Sequence, residues 1–312
     1  MAEAQKQRYF ATVGTFDGVH RGHVYLLEQL KRLGKELGLT PLVIVLSPHP
    51  LAVLRPEAAP PILTAPEERM QLIRCLCGID DVLIQSLSRH DYAFTARDFF
   101  KLLHEKYGVD ALLMGFNNHI GSDRATAATL AAEGLPVYEA KPLNGASTPV
   151  PEGAEGAPAP EKTACASSSA IRRALVEGDI ATASALLGRP FSLKGKVVGG
   201  KKIGRTIGFP TANIMPTTPS QLIPARGVYA VDVTVEGHTY RGMANIGTRP
   251  TVAGAGAEQT IEVHIIDFEG NIYGKEIIVA FLARLRDERR FDTLDALSAQ
   301  LNADRLAALS LK

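Results

Sequence analysis

"YFATVGTFDGVHRGH", Tyr9 to His23, joins two different patterns at one point. Its first six residues form an apolar run that reads as a buried strand. From His23 onward Leu26, Leu30, Leu33 and Leu37 recur at helical spacing. Between them Gly14, Gly18 and Gly22 allow tight turns and leave backbone amides open to a ligand. His20 and His23 stand at the helix entrance, where unpaired N–H groups and the helix dipole attract anions. A phosphate site and a plain turn with satisfied histidines both fit these residues. Zinc fits poorly, because no neighbouring spacing supplies a third ligand.

The pattern repeats down the first half of the chain. "PLVIVL" reads as a strand and Pro66 to Cys77 as a helix; "DVLIQSL", Thr95 to Tyr107, "DALLMGF", Ser122 to Glu133 and "PVYEA" continue the alternation. Strand and helix in turn predict a parallel sheet covered on both faces, with ligands beyond the carboxyl ends of its strands. Asn144 to Thr163, dominated by Pro, Gly and Ala, reads as a flexible surface loop. Two short helices, Ser169 to Glu177 and Ile180 to Leu187, follow it, and "GRP" at 188–190 marks the expected boundary between domains 1–188 and 189–312.

Beyond that boundary the texture changes. "FSLKGKVVGG", "GVYAVDVTVEG", "HTYRGMANIG", "EQTIEVHIIDF" and "KEIIVAFLARL" are short strands separated by Gly and Pro, which predicts an antiparallel barrel. Phe291 to Leu311, with Leu294, Leu297 and Leu301 in helical register, predicts a closing amphipathic helix.

Composition sets the outer limits. With 312 residues, two domains are the natural expectation. Apolar residues make up 46% and charged residues 21%, and the net charge is +1, so nothing calls for nucleic acid or an acidic membrane surface as partner. No apolar run has the length of a membrane span, and "MAEAQKQRYF" lacks the apolar core of a secretion signal. Cys75, Cys77 and Cys165 read as reduced thiols of a cytoplasmic protein.

Two later stretches carry chemistry. "SSSAIR", Ser167 to Arg172, places hydroxyls and a guanidinium at a helix start, where they suit triphosphate oxygens; a simple loop end with a cap is the other reading. "VVGGKKIGRTIGFPTANI", Val197 to Ile214, offers a basic glycine-rich flap followed by Thr211 and Asn213, hard oxygen donors suited to Mg²⁺. In "TIEVHIIDF", strand alternation puts Ile261, Val263 and Ile265 on one face and Glu262 and His264 on the other.

"GTFDGVHRGH" resembles the signature of the cytidylyltransferase-like nucleotidyltransferases, with His20 and His23 as the histidine pair. "GRTIGFPTAN" closely resembles the riboflavin kinase signature. The two in this order, with "SSSAIR", are similar to the bacterial bifunctional riboflavin kinase/FMN adenylyltransferase (FAD synthetase) family along nearly the whole chain. That resemblance implies a Rossmann-like nucleotidyltransferase domain followed by an antiparallel β-barrel riboflavin kinase domain with a C-terminal helix. It implies ATP as co-substrate and Mg²⁺ as cofactor, with riboflavin and FMN as the other ligands. Glu262 falls at the family's catalytic glutamate, and His20 and His23 at its phosphate-stabilising pair. Gly14, Thr15, Phe16, Asp17, Ser168, Ser169, Arg172, Asn117, Gly204 and Arg205 fall at nucleotide or phosphate positions, and Thr211 and Asn213 at the metal. His49 in "LSPHP", Arg286 and Phe291 are flavin-site candidates. Asn118 and Ile120 stand where the family carries two aromatics. A kinase with a degraded first domain is therefore one alternative, and an RNA-binding barrel using "KGKVVGGKKIGR" is another.

Overall fold

The computed structural model describes residues 7–116, 118–142, 166–199, 207–250 and 257–311. The expected loop 144–163, Cys165, Asn117, Gly204 and Arg205 lie outside the described residues. The chain packs as two compact units, Met1–Ser167 and Ser168–Lys312.

The first unit is a five-stranded parallel sheet in the order β3-β2-β1-β4-β5. Its strands are β1 (Tyr9–Gly14), β2 (Thr40–Leu46), β3 (Val82–Gln85), β4 (Val109–Met114) and β5 (Val137–Glu139). The helices are α1 (Arg21–Leu37), α2 (Pro50–Leu54), α3 (Pro66–Cys77), α4 (Ala96–Tyr107) and α5 (Ala127–Ala132). Both faces of the sheet are covered, which is why its strands are continuously apolar. Phe10, Val43, Val45 and Leu113 pack with Leu27 and Leu30 of α1 and Ile73 of α3. The alternate residues Ala11, Ile44 and Leu112 pack with Phe99 and Leu103 of α4 and Leu130 of α5. The chain steps outward from β1 to β3 and then returns to the far side of β1 at β4, so the strand order reverses beside β1. A crevice at the carboxyl ends of the strands forms at such a reversal.

Two departures from expectation belong here. The helix expected over 122–133 shrinks to α5, because Ile120 bridges to Ala125 in a turn and Thr126 caps the helix by accepting from Thr129 N–H. The short α2 has no sequence pattern of its own; it starts at Pro50, with His49 as its cap.

The second unit opens with α6 (Ser168–Glu177) and α7 (Ile180–Leu187) and continues into six strands. These are β6 (Phe191–Val198), β7 (Ala212–Pro216), β8 (Gly227–Val235), β9 (His238–Pro250), β10 (Ala257–Ile265) and β11 (Glu276–Arg286). They close an antiparallel barrel in the order β10-β7-β6-β11-β8-β9. Strand texture begins after residue 188, yet the packing divides the chain earlier, since α7 lies against β6 and β11. β7 is a strand that the sequence did not announce. It runs between Pro210 and Pro216 and approaches β6 where Gly195 leaves room, a Cβ there falling 2.3 Å from Ile214.

The closing helix α8 (Leu294–Ser310) meets β8, β9 and β11. Its inward stripe differs from the expected one. Leu297 and Leu301 are half-buried, but Leu294 is 59% exposed, and Asp304 and Ala308 are the fully buried positions. An aspartate can occupy that stripe because Arg286 of β11 reaches it with Nε and Nη2, at 3.0 and 2.8 Å from Oδ2.

Candidate active sites

In the first unit the turn after β1 is held in an unusual backbone. Phe16, Gly18 and Val19 have φ of 48°, 84° and 40°, the left-handed region that non-glycine residues, valine above all, avoid. Such positions cost about 1–3 kcal/mol each and persist only where their surroundings dictate them. The constraint is a buried ion pair. Asp17 and Arg69 are 1% and 2% exposed, with Arg69 Nη2 2.9 Å from Asp17 Oδ1. Asp17 also accepts from Leu63 N–H and Thr64 N–H, and Arg69 Nη1 donates to the Thr15 carbonyl at 2.9 Å. The turn is thereby fastened to α3 and the segment before it.

The Asp17 carboxylate thus meets backbone amides and a guanidinium, and it positions the turn. Phe16 is likewise buried, its ring edge against the His23 ring at 5.2 Å between centroids. What the ion pair holds in place are the histidines. His20 caps α1, its Nδ1 accepting from His23 N–H at 3.3 Å. The two rings stack with centroids 3.6 Å apart and planes 16° from parallel. Burial first, then His20 and Arg69, pushes the His23 pKa well below the ordinary 6.5, so its imidazole is neutral at neutral pH. Its Nδ1 is buried with no hydrogen-bond partner among the described residues. A neutral N–H beside a helix entrance can donate to an anionic oxygen without a charge of its own to desolvate.

Beside this turn, at the carboxyl ends of β1, β2 and β4, lies a largely apolar cavity of about 400 Å³. Gly14 and Thr15 form part of its wall, with Leu46 and Pro50, Tyr92 and Phe94, Leu112 to Gly115, and Asn118 to Gly121. His49 sits next to Pro50 at the start of α2, its Nδ1 accepting from Leu51 N–H at 3.1 Å. Ser168, Ser169 and Arg172 open α6 in the second unit.

The barrel assembles its residues differently. Asn213 of β7 stands directly opposite Glu262 of β10, and Glu262 stands directly opposite Asn245 of β9. Directly paired residues share a face of the sheet. One row therefore runs Asn213, Glu262, Asn245 across three strands. Thr211, Asn245, Glu262 and His264 line one cavity of about 340 Å³, closed by Val228, Phe291 and Leu301. A hydroxyl and an amide oxygen beside a carboxylate form a donor set suited to Mg²⁺ that keeps phosphate oxygens as further ligands. Among the described residues no three His, Cys, Asp or Glu gather as a metal cluster.

His264 supports this arrangement. Its Nδ1 lies 2.8 Å from the Pro210 carbonyl, so that nitrogen carries the proton, and its ring meets Phe209 edge-on. Burial lowers its pKa, while the Pro210 hydrogen bond opposes the shift. Arg286 lines the cavity, and its guanidinium is anchored by Asp304 and the Asp287 carbonyl, which ties α8 to this wall. Phe291 lies under Arg286 and Arg289, at 5.7 and 4.9 Å from its ring centroid. Sequence reasoning did not single out Arg69; Asn245 and Glu288 fall in "NIGTRPT" and "LRDERRF", stretches that resemble family segments, but neither residue has a role assigned from sequence. Asn245 stands opposite Glu262 once the strands pair.

Similarity to known proteins follows the same division. Residues 2–144 match the FAD synthetase family model and residues 187–311 the riboflavin kinase model. The Escherichia coli K12 bifunctional riboflavin kinase/FMN adenylyltransferase is 37% identical over 315 residues, covering 99% of this chain and 94% of that protein. The Bacillus subtilis protein of the same name is 33% identical, with 99% and 94% covered. A crystal structure from Streptococcus pneumoniae, described as a macrolide-efflux protein, superposes with a TM-score of 0.86 at 30% identity, covering 100% of this chain and 97% of that one. Among the described residues no helix is long and apolar enough to cross a membrane.

Proposed function

The chain belongs to the family of bifunctional riboflavin kinases/FMN adenylyltransferases, and on that premise we propose which residues carry each step. It is an enzyme of flavin biosynthesis that phosphorylates riboflavin to FMN and adenylylates FMN to FAD, with ATP as co-substrate in both. We place it in the cytoplasm, where Cys75 and Cys77 stay as thiols.

In the kinase step the terminal hydroxyl of the ribityl chain attacks the γ-phosphorus of ATP. Glu262 accepts the hydroxyl proton, the new O–P bond forms, the bond from phosphorus to the β-phosphate oxygen breaks, and ADP leaves. Thr211 and Asn213 hold Mg²⁺, which when bound offsets the charge of the phosphate oxygens. Gly204 and Arg205 are assigned to the phosphate flap from the sequence resemblance. The observation that carries this reading is the row Asn213, Glu262, Asn245, which sets the carboxylate directly opposite Asn213, while Thr211 and Glu262 line one cavity.

In the adenylylation step a phosphate oxygen of FMN attacks the α-phosphorus of ATP. The bond from that phosphorus to the β-phosphate oxygen breaks and pyrophosphate leaves; the attacking oxygen is already ionised, so no base is required. His20 and His23 donate N–H to oxygens whose charge grows in the transition state. Ser168, Ser169 and Arg172 are assigned as phosphate-binding residues from the sequence resemblance alone. The apolar cavity takes the flavin ring, with Gly14 and Thr15 on the phosphate side; His49, next to Pro50 of its wall, is assigned to the flavin site from the sequence resemblance. Ile120 lines it where the family has an aromatic, so packing replaces stacking there.

Incubation of the full chain with riboflavin, ATP and Mg²⁺, followed by chromatography of the yellow products, tests the reading. FMN should appear first and FAD after it. FMN without FAD, even when FMN is supplied directly, would reduce the first unit to a binding module.

A further inference from the structure

Glu288 follows β11 and lines the kinase cavity together with Asn245 and Glu262. Asn245 Nδ2 donates to Glu288 Oε1 at 3.3 Å, the one hydrogen bond that carboxylate accepts among the described residues. The backbone beneath makes room for it. A Cβ on Gly247 would fall 2.4 Å from Glu288 Oε1, so the carboxylate lies over β9 where a side chain is missing. Asn245, Gly247 and Glu288 thus form a small polar seat next to the base, in a cavity whose wall also carries Thr211, His264, Arg286 and Arg289.

Its place in the barrel limits what can sit there. β10 runs between β7 and β9, so Glu262 has the metal donors on one flank and the Asn245–Glu288 pair on the other. Phosphate oxygens belong on the β7 flank, beside Thr211 and Asn213. A second carboxylate repels phosphate, so the β9 flank suits a neutral group that donates hydrogen bonds. Carboxylates accept only, whereas an asparagine side chain both donates and accepts, and hydroxyl donors make short, charge-assisted bonds to a carboxylate.

We propose that Asn245 and Glu288, seated over Gly247, read the non-reacting hydroxyls of the ribityl chain and so select a polyol-bearing flavin as phosphoryl acceptor. This rests on the kinase reading above and adds the residues that set its acceptor specificity. With the secondary hydroxyls held on β9, the terminal hydroxyl is delivered to Glu262 on the neighbouring strand, about 5 Å away in the hydrogen-bonding direction. A site that pairs with substrate hydroxyls discriminates strongly against analogues lacking them, because its own polar groups are then left unpaired.

The test compares two acceptors on the full chain. One is riboflavin. The other is the same ring system bearing a 5-hydroxypentyl chain, which keeps the reacting hydroxyl and lacks the others. The parent chain should prefer riboflavin in kcat/KM. Glu288→Ala should narrow that preference by about ten- to hundredfold, mostly through the riboflavin KM, and leave the hydroxypentyl compound nearly unaffected. Gly247→Ala, whose new methyl displaces the carboxylate, should narrow it in the same direction. Retained phosphorylation of the hydroxypentyl compound by each variant reports that the barrel is folded. Equal losses for both acceptors would mean a merely structural role and overturn the proposal, as would an unchanged preference or a parent with none. A parent that phosphorylates neither acceptor would overturn the kinase reading itself.

Discussion

In the first unit the residues proposed for catalysis come from a single strand-to-helix turn, whereas in the barrel they come from three neighbouring strands. The turn needs help to hold its shape. Phe16 and Val19 sit at positive φ, and the buried Asp17–Arg69 pair keeps them there from positions far apart in sequence. The barrel needs no such device, because the ladder β7-β10-β9 fixes Asn213, Glu262 and Asn245 by register. A site on a turn therefore carries its positioning cost in backbone strain and a desolvated ion pair. A site on a ladder carries it in the fold as a whole.

The comparison can be broken most sharply at the barrel. Glu262→Gln should slow riboflavin phosphorylation by about 10²–10⁴-fold, the range expected for a lost general base, and leave adenylylation of supplied FMN unchanged. Loss of both activities, followed by separate assays, would contradict separate sites. Next in size, His23→Ala should cut FAD formation from FMN by about 10²–10³-fold, as for a removed donor to a transition-state oxyanion, with kinase activity intact.

A third change separates positioning from chemistry. Arg69→Met leaves Asp17 buried without its counter-charge and should cost the first unit about 3–5 kcal/mol, read from urea unfolding. Adenylylation should fall with it. An unaltered unfolding midpoint would mean the ion pair does not hold the turn.

The smallest expected effect is pH-dependent. His23 and His264 have folded pKa values below the ordinary 6.5, in both cases chiefly through burial. Below pH 6.5 the unfolded chain takes up protons that these folded residues refuse. Unfolding free energy should therefore fall as pH drops from 6.5 toward the depressed folded values, and be unaffected by these groups above it. Replacing His23 by Gln should flatten part of that slope; an unchanged slope would place the proton uptake elsewhere.

Much of this was legible in the sequence, for identifiable reasons. The parallel sheet followed from strands apolar on both faces, as Phe10 and Ala11 illustrate by entering opposite cores. Glu262 and His264 could be placed on one face from alternation alone. Residues joined only by folding stayed hidden. Arg69 lies 52 residues from Asp17, and Glu288 lies 43 from Asn245, so no local pattern links them. β7 escaped notice because Pro210 and Pro216 punctuate it like a loop, although the barrel needs it as its sixth strand. Leu294 was expected inward by periodicity, but the actual stripe is set by the Arg286–Asp304 pair, and Asp304 does not count as apolar in any such pattern.

The most direct measurement mixes the two impaired chains. Glu262→Gln and His23→Ala proteins, each unable to make FAD efficiently from riboflavin, are combined with riboflavin, ATP and Mg²⁺. Two self-sufficient sites predict that FAD accumulates in the mixture, as FMN released by one chain is adenylylated by the other. A mixture that stays without FAD, while each variant keeps its own half-reaction, would contradict them.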